Sequence, residues 1–128
     1  MDQQELTGIE RARRGIFSRD WFGQLYRGEL SLGDTFWIGN FGTALVLAPA
    51  IFAGYVALIV LGAGAAVWPW FLGLTATAVF VHFAFLACAV FIAATQAPEA
   101  GGWRWAGVAI TVANAAGAAL FAIRFLSP

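Results

Sequence analysis

Three long apolar stretches alternate with short polar segments along this chain. No Asp, Glu, Lys or Arg occurs between Asp34 and Glu99, so helices formed there have no charged face to turn towards water. A helix needs about 20 apolar residues to cross a bilayer, and each stretch meets that length. The pattern predicts an all-α membrane protein with spanning helices over residues 36–61, 70–95 and 105–125.

The first 34 residues follow a different pattern. Basic and apolar residues alternate from Ile9 to Gly28, which predicts an amphipathic helix that lies in the membrane interface. Its basic residues are expected to face lipid headgroups or a partner protein, and they are Arg11, Arg13, Arg14, Arg19 and Arg27. The chain therefore divides into a basic arm over residues 1–34 and a three-helix bundle over residues 35–128.

Tryptophan and arginine positions predict the orientation in the membrane. All six Trp residues lie at the predicted borders of the spans, as in the aromatic belts of integral membrane proteins. Five of the seven basic residues precede the first span, which places the N-terminus in the cytoplasm by the positive-inside rule. With three spans, the C-terminus is then expected on the opposite, periplasmic side. The expected membrane is the inner membrane of a bacterium.

Small residues predict where helices contact one another. Gly54 lies on the first span, and Ala109, Ala113 and Gly117 form a row at four-residue spacing on the third. Such small side chains let the backbones of two membrane helices approach closely. We therefore expect helix contacts at these positions, within the bundle or with a neighbouring chain.

His82 is the only histidine of the chain, and it lies near the centre of the second span. A polar ring at this depth has to face protein or a ligand. Asn114 lies at the same predicted depth on the third span, so a hydrogen bond between His82 and Asn114 is expected. The pairs Asn40–Thr43 and Thr111–Asn114 are also expected to join helices by hydrogen bonds.

An alternative interpretation assigns a cofactor to His82. Ala78 precedes it by one helical turn, and its small side chain leaves room for a flat ring. This Ala-x-x-x-His arrangement resembles the pigment-binding stretch of bacterial light-harvesting polypeptides. The resemblance implies that His82 is the axial ligand of a haem or bacteriochlorophyll and that Ala78 lies beside the ring. A structural His82 with protein partners is the competing interpretation.

The segment Gly28–Trp37, with the sequence GELSLGDTFW, leads from the arm into the first span. It resembles the corresponding segment of uncharacterised small bacterial inner-membrane proteins, which have a basic arm and three spans. This resemblance implies no active residues for the chain. It supports only the expected location and topology.

Function is predicted mainly from the chemistry that the sequence lacks. It contains no Ser-His-acid set, no metal cluster and no glycine-rich phosphate loop, so we expect no enzyme. The net charge is zero, which gives no reason to expect nucleic acid as a partner. The sequence favours a non-catalytic subunit that contacts lipid and either other membrane proteins or copies of itself. An oligomeric channel or carrier is a further interpretation.

Overall fold

The computed structural model describes residues 3–4, 7–8 and 15–127 of the chain. All regular elements in this part are helical, and the last three helices are long and apolar enough to cross a membrane. The predicted fold class is therefore confirmed. The helices are α1 (Arg19–Arg27), α2 (Leu32–Val60), α3 (Val67–Gln96) and α4 (Trp103–Leu126), with a short 3-10 turn at Pro98–Ala100.

The predicted amphipathic helix over Ile9–Gly28 is interrupted just before α1, and its residues 9–14 lie outside the described part of the chain. Phe17 has a φ of +68°, a left-handed conformation that interrupts a right-handed helix. Ser18 then caps α1, because its side chain accepts a hydrogen bond from the Trp21 N–H at 3.1 Å. The prediction of one uninterrupted helix from Ile9 is wrong at residues 16–18. Gly28 ends α1 with a φ of +69°, as predicted.

The apolar face of α1 packs against α3. Trp21 and Leu25 of α1 form a buried cluster with Leu86 and Val90 of α3. At Gly28 the two elements are so close that an added Cβ atom would lie 2.9 Å from the Ile92 side chain. This face of α1 is therefore turned towards protein. The position of α1 in the membrane interface stays a prediction.

Helix α2 contains one irregular turn. Residues Ile38–Gly42 form a π-helical turn between the regular segments Leu32–Trp37 and Thr43–Val60. The Thr43 N–H donates to the carbonyl of Ile38, five residues earlier, rather than to the carbonyl of Gly39. The Gly39 carbonyl is therefore available to side chains. Turns of this kind occur frequently at functional sites.

Helices α3 and α4 form a closely packed hairpin, whereas most of the apolar surface of α2 is exposed. Only 6% of the apolar window of α2 is buried inside the protein. Near its end, α2 contacts α3 through Gly54, where an added Cβ would lie 3.3 Å from the Phe71 ring. The Tyr55 and Trp68 rings also pack at a centroid distance of 5.0 Å. A groove of about 640 Å³ lies between α2 and the hairpin.

Candidate functional site

His82 lies at the centre of a hydrogen-bonded cluster that joins three helices. Its Nδ1 atom is 2.6 Å from the Tyr26 hydroxyl on α1. Its Nε2 atom is 3.1 Å from Thr43 Oγ1 and 3.1 Å from the Gly39 carbonyl oxygen, both on α2. The Thr43 hydroxyl also donates to the Gly39 carbonyl. The imidazole of α3 therefore holds α1 and the π turn of α2 together.

The partners of His82 define which ring nitrogen carries the proton. The Gly39 carbonyl oxygen can only accept a hydrogen bond, so Nε2 carries the proton and donates it. In a neutral imidazole Nδ1 is then an acceptor, and the Tyr26 hydroxyl donates to it. Burial raises the pKa of the Tyr26 hydroxyl above its ordinary value, so this donor keeps its proton. Both nitrogens of the ring are thereby satisfied by protein.

This arrangement does not fit a tetrapyrrole ligand. Axial coordination requires a free lone pair on a ring nitrogen, whereas Nδ1 of His82 accepts from Tyr26 and Nε2 donates to Gly39. Ala78, which was predicted to lie beside the flat ring, is exposed on α3, but its exposure does not supply the missing lone pair. Within the described part of the chain, no three His, Cys, Asp or Glu side chains come together as a metal site.

A second polar cluster joins α2 to α4. The Asn40 amide nitrogen donates to Thr111 Oγ1 at 3.0 Å, and Asn40 Oδ1 accepts from the Asn114 amide at 3.1 Å. Asn40 is only 3% exposed. The prediction that these polar pairs join helices is confirmed. The predicted hydrogen bond between His82 and Asn114 is wrong, because α2 supplies a partner to each of them separately.

The predicted row of small residues on α4 does not pack inside the chain. Ala113 and Gly117 lie along the groove between α2 and the hairpin, together with Asn114. Ala109 is exposed and lies outside the groove. No described residue approaches within 4 Å of the position that a Cβ atom would take at Gly117. Contact between this row and another helix therefore stays a prediction.

The arginines of the arm differ in their surroundings. Arg27 forms a two-pronged ion pair with Glu29, with N–O distances of 2.6 Å and 3.1 Å. This pairing raises the pKa of Arg27 and lowers that of Glu29, although an exposed pair contributes little to stability. Arg19 is exposed at the start of α1. The remaining three, Arg11, Arg13 and Arg14, lie outside the described residues.

Tyr26 is a residue of the His82 cluster that the sequence analysis did not single out. It lies on the apolar face of α1, and its partner His82 is 56 residues further along the chain. One signal was present in the sequence. The neighbouring aromatic residues of this face are Phe17, Trp21 and Phe22, and a Tyr among them places a hydroxyl on an otherwise apolar surface.

None of the protein families, curated proteins and solved structures compared with this chain matches it. Its own contacts are thus the basis on which a function can be proposed.

Proposed function

We propose that this chain is a non-catalytic, multi-pass membrane protein that acts through helix–helix contact, as an accessory or assembly subunit of a larger complex in a bacterial inner membrane. One observation carries the proposal. A groove lies between α2 and the α3–α4 hairpin, and it is lined by Ala113, Asn114 and Gly117 of α4. These residues offer a membrane helix of a partner both close backbone approach and a polar contact.

Asn114 supports a protein partner over lipid alone. Its side chain is exposed, and the one hydrogen bond described for it is the N–H donated to Asn40. An amide side chain has two donor hydrogens and an acceptor oxygen. Lipid tails cannot satisfy the remaining groups, whereas polar side chains of a second helix can.

His82 is a structural residue in this proposal. Its hydrogen bonds to Tyr26 and Gly39 hold the arm and the π turn of α2 in place. They fix the first half of α2 against α3, and α2 forms one side of the groove. The cluster therefore supports the groove without taking part in any reaction.

The charged residues support an orientation with a cytoplasmic N-terminus and a periplasmic C-terminus. Helix α2 begins, α3 ends and α4 begins at the same end of the bundle, and Arg27, in the last turn of α1, and Arg104, in the first turn of α4, lie towards that end. Arg124, in the last turn of α4, lies at the opposite end. This two-to-one excess among these three arginines favours a cytoplasmic location for the first end by the positive-inside rule. Lipid covers the exposed apolar surfaces in this arrangement.

Replacing Ala113 and Gly117 together with Leu is expected to reduce recovery of the partner about tenfold, because the added side chains fill the groove and hold the partner helix away. The measurement is affinity isolation of the tagged chain from native membranes in a mild detergent, followed by mass spectrometry. An untagged second copy is included so that self-association is detected as well.

Ala116→Leu is the matched control, because Ala116 is exposed on the same helix but does not line the groove. It is expected to retain the partner. Equal recovery from the double variant and from this control would contradict the proposed contact surface. Recovery of the tagged chain alone, without a partner or a second copy, would contradict the proposed function.

A further inference from the structure

A second cavity, separate from the groove, opens at the charged end of the bundle. It has a volume of about 830 Å³ and lies between the α1–α2 loop, the first turns of α2 and the turn from α3 to α4. Its polar wall contains Glu29, Glu99 and Arg104, and its apolar wall contains Trp37, Phe41 and Ile110. Arg104 and Ile110 are separated by roughly 9 Å along α4 at 1.5 Å per residue. The cavity therefore runs from the membrane interface into the apolar layer.

Arg104 is the residue that indicates a ligand. Its Nη1 atom donates to the Ala94 carbonyl at 3.4 Å, and its guanidinium lies 5.2 Å from the centre of the Trp105 ring. Its Nε atom is buried and has no hydrogen-bond partner among the described residues. Among the described residues the guanidinium has one acceptor, the Ala94 carbonyl, for its five N–H groups, so this cavity-lining side chain can donate further hydrogen bonds to an anionic or carbonyl oxygen of a ligand.

The charges of the cavity favour a headgroup that carries both signs. A phosphate is attracted by Arg104 and by the positive end of the α4 dipole, which begins one residue earlier at Trp103. Glu99 supplies a carboxylate to a cation, while Glu29 already pairs with Arg27. A headgroup with a phosphate alone offers no cation to Glu99.

We propose that this cavity binds one phospholipid whose headgroup contains a phosphate and a primary ammonium. The phosphate accepts from Arg104, the ammonium donates to Glu99, and an acyl chain lies along Trp37 and Phe41. A quaternary ammonium has no N–H to donate to the carboxylate, so headgroups of that type bind more weakly. This site is distinct from the groove of the proposed partner contact, and Phe41 lines both.

Native mass spectrometry of the purified protein tests the proposal. The protein is mixed with equal amounts of phosphatidylethanolamine, phosphatidylcholine and phosphatidylglycerol that have identical acyl chains. We expect one phosphatidylethanolamine to be retained per chain, about tenfold above either competitor, and Arg104→Gln to reduce that retention about tenfold. Arg124→Gln, at the opposite end of α4, is the charge-matched control and is expected to retain the lipid.

A second variant tests the apolar part of the site without changing its charges. Ile110→Trp adds a larger side chain to the apolar wall of the cavity and is expected to reduce lipid retention as well. Equal retention by Arg104→Gln and Arg124→Gln would overturn the role of Arg104, and preferential binding of phosphatidylglycerol would overturn the role of Glu99. Unchanged retention by Ile110→Trp, or displacement by soluble glycerophosphoethanolamine, would overturn a site that holds the acyl chain.

Discussion

Replacing Leu86 with Ala is expected to lower the free energy of unfolding by about 2 to 5 kcal/mol. Leu86 is fully buried at the point where α1, α2 and α3 meet. It packs with Trp21 and Leu25 of α1, and it contacts the backbone of α2 at Gly39. Removing three carbon atoms there opens a cavity that none of the three helices can close without giving up its contacts to the others.

Thermal unfolding in detergent micelles, followed by circular dichroism, measures this loss. Leu74→Ala is the matched control, because Leu74 lies on the same helix and is 60% exposed. It makes the same chemical change on a surface that faces lipid or detergent, so a cavity is not formed and its effect is expected to be much smaller. Equal losses in the two variants would show that Leu86 is not the packing centre of these helices.

Gly39→Ala is expected to destabilise the protein by about 1 to 3 kcal/mol, although Ala favours helix more than Gly does. The added methyl group at this position would overlap the side chain of Leu86, which is buried and has no free space to occupy. Helix α2 has to move away from α3, and the Gly39 carbonyl then moves away from His82 Nε2.

The sign of the change in the free energy of unfolding distinguishes overlap with Leu86 from the general effect of replacing Gly with Ala in a helix. Gly117→Ala introduces the same methyl group on α4, where no described residue lies within 4 Å, and it is expected to be neutral or stabilising. The double variant Gly39→Ala with Leu86→Ala is expected to lose less stability than the sum of its single variants, since the smaller side chain makes room for the methyl group. Strict additivity would contradict the proposed overlap.

The spanning helices were predictable because their signal is local. A run of apolar residues without charge leaves few structures open to the chain, and length alone then identifies α2, α3 and α4. The stop of α1 at Gly28 was predictable for the same reason, because a left-handed residue at a helix end favours Gly. These features depend on a few neighbouring residues.

The partners of His82 depend on contacts between distant parts of the chain. Its predicted partner Asn114 has the right depth, but depth does not indicate which helix lies between two polar residues. Asn40 of α2 accepts a hydrogen bond from Asn114, and Tyr26 of the arm donates a hydrogen bond to Nδ1 of His82. The contact between Tyr26 and His82 forms because α1 packs against α3. The basic residues of α1 and the segment before it had predicted an arm that faces lipid headgroups or a partner protein.

The π turn of α2 had no recognisable signal in the sequence. Gly39 and Gly42 indicate only a small surface on this helix. The structure has an irregular turn at Ile38–Gly42, and Pro49 lies inside the α-helical segment Thr43–Val60. This turn frees the Gly39 carbonyl for His82 and Thr43, so its cause lies in tertiary contacts.

The central claim is that His82 is a structural residue whose two ring nitrogens are held by Tyr26 and Gly39. Because His82 is the only histidine, nitrogen-15 labelling of histidine reports this ring alone by NMR. We expect a neutral ring with the proton on Nε2. The Tyr26→Phe substitution is expected to shift the Nδ1 resonance, and the control substitution Tyr55→Phe is expected to leave it unchanged. A proton on Nδ1, or an Nδ1 resonance that does not respond to Tyr26→Phe, would contradict the claim.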